Sequence, residues 1–222
     1  MNSKNLSKSA FFQTTSYLIL SIWTVTNTLQ FAKAEVRDLN ITKQHAQPQL
    51  VAQFSGNQDQ ERSQLRQTAN TLLNQGNLTG AEENLRKLIK KFPEDSFGYY
   101  QLGNVLFRQG KKEDAIKQYQ KATQKNSKYA LAYNAMGQVY ASQQQWSSAI
   151  AEYQKALTIN PNYGDALRNM AIALWEQGNH KEAIAHAEKA LNIFKAQNRP
   201  EKAGQIEQIL RQMKTGDDPT VS

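Results

Sequence analysis

One interval recurs through this chain of 222 residues. The small residues Ala81, Ala115, Ala149 and Ala183 stand 34 positions apart. The same interval separates Ala69, Gly103, Gly137 and Ala171, and again Leu65, Tyr99, Tyr133 and Leu167. A fixed period of this size restricts the fold more than any composition can. Each period is one supersecondary unit, too small to bury its own apolar face, so successive units stack and share a core.

The stretch from Ala130 to Pro161 shows what one unit contains. Tyr133, Met136, Gly137 and Tyr140 fall at the i, i+3, i+4, i+7 spacing of one helix face, and Ala149, Tyr153, Ala156 and Leu157 form a second such face. A polar break, Ser142 to Gln145, lies between them. The other units carry Gly76, Gly110 or Gly178 in this break, where a left-handed residue ends the first helix and reverses the chain. The third unit has Gln144 there, a departure expected to cost stability. Pro93 and Pro161 stop the second helices of units one and three. Small residues let helices approach closely, and the large residues beside them fill the remaining space.

On these residues the unit resembles the tetratricopeptide repeat (TPR), which has a length of 34 residues. Unit two carries its pattern as Tyr99, Leu102-Gly103, Leu106, Ala115, Tyr119 and Ala122. Unit three carries it as Tyr133, Met136-Gly137, Tyr140, Ala149, Tyr153, Ala156 and Pro161. Units one and four depart from it, with Thr68 in place of the usual Leu, Leu88 of the usual Ala and Ala187 of the usual aromatic. The resemblance covers roughly residues 62–195. It implies an all-α fold: a right-handed α-α superhelix of four helix pairs, at about 62–95, 96–129, 130–163 and 164–197. Pro200 opens one more helix to about Lys214, with Ile206, Ile209, Leu210 and Met213 on one side, as a capping helix requires. Thr79 with Glu82, and Asn179 with Glu182, read as capping boxes at the start of second helices.

The flanks differ in composition. Residues 1–34 have Lys4, Lys8 and Lys33, no acid, an apolar run from Tyr17 to Val25, and an Ala32-Lys33-Ala34 ending. This order predicts a secretory signal cleaved after Ala34; an uncleaved N-terminal anchor is the alternative. The expected location is periplasmic, lumenal or extracellular. Residues 35–60 are polar and Gln-rich and read as a flexible linker, with the array starting near Glu61. Residues 215–222 read as a disordered tail. The absence of cysteine excludes both a lipid-modified N-terminal Cys and disulfides, so helix packing alone must stabilise the fold.

No constellation for catalysis is found. His45, His180 and His186 do not combine into a metal-ligand pattern, and there is no phosphate-cradling glycine loop or nucleophile elbow. No enzyme activity, cofactor or metal is expected.

What the resemblance implies instead is a concave groove lined by first helices, holding a protein or an extended peptide. The family's groove positions carry over to Arg66 and Asn70 in unit one, and to Tyr100, Asn104, Phe107 and Arg108 in unit two. Unit three contributes Asn134 and Gln138, and unit four Arg168 and Trp175. Amide side chains both donate and accept, which suits a peptide backbone. Aromatic residues suit apolar anchorage, although Phe107 and Trp175 are also candidates for part of the core. The family's clamp for chaperone tails is not met: Leu131 and Ala135 stand where its cations belong, or, in the next register, Tyr100 and Asp165 break it.

The net charge of +8 includes the three lysines before Glu35. Lys117, Lys121, Lys125 and Lys128 recur near helical spacing and are expected as one stripe on the convex side. A solubilising face is the plain reading. Contact with an anionic membrane, as a peripheral adaptor, is the alternative. Nucleic acid is disfavoured, because the stripe lacks stacking aromatics. End-to-end self-association of the array is a third possibility.

Overall fold

A computed structural model of the chain describes residues 55–215. The expected signal, residues 1–34, and most of the expected linker lie outside the described residues, as does the tail from residue 216. The described residues form nine helices and no strand. They are α1 (55–74), α2 (Leu78–Lys91), α3 (Ser96–Arg108), α4 (Lys112–Lys125), α5 (Ala130–Ala141), α6 (Trp146–Ile159), α7 (Gly164–Glu176), α8 (His180–Ala196) and α9 (Pro200–Thr215). This is the all-α array of four helix pairs and a terminal helix. One boundary needs correction: residues 55–60, assigned to the linker from their polarity, are the first turns of α1.

The helix reversals share one backbone solution. Gly76, Gly110 and Gly178 have φ of 73°, 79° and 85°, and Gln144 takes the same left-handed conformation at 57°. The next residue closes the turn by donating its N–H back across it. Asn77 donates to Leu72 O, Lys111 to Leu106 O and Asn179 to Leu174 O at 2.9 Å each, and Gln145 to Tyr140 O at 3.0 Å. These are the closures of a Schellman motif. The α8–α9 connection repeats them with Asn198 at φ 53° and Arg199 donating to Phe194 O at 2.9 Å. Asparagine tolerates this region better than most residues.

The caps differ from expectation. Thr79 is not the cap of α2; Asn77 is, and its side chain accepts from Gly80 N at 2.9 Å. Asn179 precedes α8 but makes no side-chain cap; its amide nitrogen donates to Gln177 Oε1 at 3.1 Å.

Packing explains the period. Ala81, Ala115, Ala149 and Ala183 are all fully buried. In units two and three a tyrosine ring from the second helix packs directly against a glycine of the first. A Cβ on Gly103 would stand 2.4 Å from Tyr119 Cε1, and one on Gly137 would stand 2.4 Å from Tyr153 Cε1. Unit four has Ala171 at the glycine position and Ala187 at the tyrosine position; unit one has Ala69 and Leu85. The two departures therefore belong together: a Cβ on the first helix removes the room for a ring on the second. The extension of α8 brings Phe194, which is buried, against Gly164 of α7. Helix α9 then covers the end of the array with Ala203, Ile206, Leu210 and Met213, while Ile209 is only half-buried.

Consecutive helices pack in chain order, and α3 also touches α5, and α5 touches α7. The first helices therefore form one layer, with the second helices behind them. That layer carries the candidate site.

Candidate partner-binding groove

The residues carried over to the groove separate into three groups in the structure. Arg66 belongs to a brace. Its Nε and Nη2 donate to the two carboxylate oxygens of Asp95, both at 2.9 Å, and its guanidinium lies 5.2 Å from the centre of the Phe97 ring. The Asp95 side chain is 1% exposed and also caps α3 by accepting from Gly98 N at 3.2 Å. One carboxylate thus joins α1 to the start of α3. Such a bidentate pair fixes geometry as well as contributing energy.

The second group is a set of linked amides. Gln101 Nε2 donates to Asn70 Oδ1 at 2.9 Å, Asn104 Nδ2 donates to Gln101 Oε1 at 2.7 Å, and Tyr119 OH donates to Asn104 Oδ1 at 2.8 Å. Asn134 is only 5% exposed, and its Oδ1 accepts from Asn169 Nδ2 at 3.0 Å, tying α5 to α7. Asn134 therefore corrects the sequence reading. It lies between first helices and offers no surface to a peptide. Asn70 and Asn104 stay on the groove side, with part of their hydrogen-bonding capacity used by each other's neighbours.

The third group remains at the surface. Gln138 and Arg108 are exposed, and Tyr100, Phe107, Arg168 and Trp175 are half-buried. Phe107 and Trp175 pack against the core clusters, as their dual assignment anticipated, and the Trp175 ring meets His180 edge-on at 4.1 Å. Arg168 donates from Nε and Nη2 to Asn169 Oδ1 at 3.2 and 3.0 Å.

The set of residues carried over to the groove leaves out two tyrosines and a leucine. Tyr129 and Tyr163 immediately precede α5 and α7, and Asp95 holds the matching place before α3. The signal was present, since these three residues are also spaced by 34. The Tyr129 ring lies 5.2 Å from that of Tyr100. Burial pushes the Tyr129 hydroxyl up to about 12, with Tyr100 adding to the rise. Burial likewise raises the Tyr163 hydroxyl, with Tyr100 adding to the rise. Leu131, at the start of α5, is 41% exposed, the one exposed large hydrophobic among the described residues.

The lysine stripe is less uniform than its spacing implies. Lys117 pairs with Asp114 at 3.0 Å and Lys125 with Glu94 at 2.6 Å; that bond raises the Lys125 pKa. Lys121 lies 5.9 Å from the Tyr99 ring centre. Lys128 falls beyond the end of α4, which stops at Lys125, so the four do not share one helix. Among the described residues no three His, Cys, Asp or Glu side chains gather as metal ligands, and no helix is long and apolar enough to cross a membrane.

Comparison with known proteins agrees with this geometry. Three family models match: a tetratricopeptide repeat model at residues 128–196, a TPR repeat model at 103–144 and a further tetratricopeptide repeat model at 52–95. A search of the curated proteins gives no match. Among solved structures, the chain is similar to a crystal structure of MamA. The identity is 29%, with 62% of this chain and 81% of that one covered, at a TM-score of 0.57. A MamA RS-1 ArsTM double mutant matches at 19% identity, over 72% of this chain and 86% of that one, with a TM-score of 0.60. A Thermobaculum terrenum O-GlcNAc transferase mutant matches at 17% identity, over 63% of this chain and 26% of that one, with a TM-score of 0.55. The last two likenesses show the fold alone. The family models fall on the helix pairs built by the 34-residue period and together span more than half of the sequence, and the chain belongs to the tetratricopeptide repeat family.

Proposed function

We propose that this chain is an exported scaffold that holds an extended segment of a partner protein against the layer formed by α1, α3, α5 and α7. The tetratricopeptide fold is a protein–protein interaction module and is typically non-catalytic. One observation carries the groove reading. The exposed large hydrophobic Leu131 occupies a groove position of α5, on the same element as exposed Gln138. Exposed apolar surface beside polar groups is the common composition of an interaction site. Export rests on the lysines, short apolar run and Ala32-Lys33-Ala34 ending of residues 1–34.

A photo-cross-linking amino acid placed at Gln138, on the groove side, or at Lys121, on a second helix, tests the first part. Cross-links to a partner polypeptide should form from position 138 and not from position 121. The reverse pattern would refute groove binding. N-terminal sequencing of the native protein tests the second part, with Glu35 expected as the first residue.

A further inference from the structure

Resting on the groove reading, we infer that the partner segment is acidic: an apolar side chain sits on the tyrosines Tyr100 and Tyr129, and an Asp or Glu side chain next to it binds Arg168. The charge argument comes first. Among the described residues Arg168 has no carboxylate partner; its two contacts go to the neutral amide oxygen of Asn169. The nearest acid on α7, Asp165, is already engaged at both oxygens by Lys202 of α9, at 2.5 and 2.7 Å. A guanidinium has five N–H donors. With one N–H of Nε and one of Nη2 turned to Asn169, three N–H groups, two on Nη1 and one on Nη2, are left for a ligand. One guanidinium of this kind matches one monoanion, and a carboxylate is the monoanion that peptides carry.

The position of Arg168 is held from below. Asn169 receives the guanidinium on its oxygen and passes its own amide to Asn134 Oδ1 at 3.0 Å. The arginine is thus aimed by a buried amide pair, which lowers the conformational cost of binding. Tyrosines supply the apolar part of the reading. The ring centres of Tyr100 and Tyr129 lie 5.2 Å apart. Tyrosine offers a large, rigid surface with few rotamers to immobilise. Leu131 adds the exposed aliphatic surface. This set differs from the chaperone-tail clamp of the family, whose cation positions hold Leu131 and Ala135 here.

The test uses the purified native protein and fluorescein-labelled dodecapeptides on a Gly-Ser frame, read by fluorescence anisotropy. One peptide carries Phe-Glu with an amidated end, a second Phe-Gln, a third Ala-Glu, and a fourth Phe at a free C-terminus. The Phe-Glu peptide should bind at least about tenfold more tightly than Phe-Gln and than the free-carboxylate peptide; a preference for the free-carboxylate peptide alone would overturn the acidic assignment. Those two peptides distinguish a side-chain carboxylate from a terminal one. Arg168→Gln should abolish the preference and Arg168→Lys should retain part of it, with helical circular dichroism unchanged. Tyr129→Ala should remove the difference between Phe-Glu and Ala-Glu. Binding without preference for a carboxylate, or a preference that survives Arg168→Gln, would overturn the acidic assignment while leaving groove binding in place. If no peptide binds, both readings fall.

Discussion

Gly137→Ala tests the packing rule on which the repeat depends. A Cβ at Gly137 would stand 2.4, 2.6 and 2.9 Å from Cε1, Cδ1 and Cζ of Tyr153. Carbon atoms in contact settle at about 3.5–4.0 Å, so the ring or the helix must yield by about 1 Å. Tyr153 is 1% exposed and belongs to the larger core cluster, which leaves it nowhere to turn. Overpacking of this kind costs about 1–3 kcal/mol, and three overlapping ring atoms place it in the upper half of that range. Alanine returns about 1 kcal/mol through its better helix propensity. The net loss is about 1–2 kcal/mol, or roughly 3–6 °C in Tm for a chain of this size. The assay is a thermal melt followed by circular dichroism, in wild-type and Tyr153→Leu backgrounds. Shortening the ring should turn the loss into a small gain. Gly204→Ala on α9, where no atom lies within 4 Å of the added carbon, should raise Tm. If Gly137→Ala melts at or above wild type, or is equally harmful with Leu at 153, the ring-over-glycine argument fails.

Three further outcomes follow from the same structure. Asp95→Ala removes both the α3 cap and the partner of Arg66; it should cost about 2 kcal/mol in urea unfolding, and Asp95→Asn, which can still cap, about half as much. Equal losses would mean that the cap contributes nothing. Gln144→Gly relieves a left-handed non-glycine residue and should stabilise by about 0.5–1 kcal/mol; a lower unfolding midpoint would contradict this account of the turn. Burial holds the His186 imidazole below its ordinary value of 6.5 against the opposing pull of Glu182, so the unfolded chain takes up the proton first. Stability should therefore be full above pH 6.5 and fall as the pH drops through the lower folded value; a decline of the same steepness in His186→Gln would rule His186 out.

The sequence alone determined the helix pairs, their order, the reversals and most of the core. These features are local or repeat between neighbours. A glycine at a left-handed turn, or an alanine every 34 residues, reports its surroundings wherever it occurs. The capping box at Thr79 failed for a related reason: a turn that closes on Asn77 leaves Thr79 inside the helix. The start of α1 was misplaced because polar residues 55–60 have no apolar stripe to announce a helix.

The tertiary structure alone decided which groove residues face a partner. Arg66 meets Asp95 across 29 positions, Asn70 meets Gln101 across 31, and Asn134 meets Asn169 across 35. Each bond joins one first helix to the next first helix or to its cap, so neither residue's own surroundings in the chain disclose it. The same stacking turns Asn134 inward, brings Tyr129 beside Tyr100 and leaves Arg168 with only an amide for a partner. Periodicity specifies which faces meet, but the side chains compete for hydrogen-bond partners only once the helices are in contact, and that competition determines what the groove can hold.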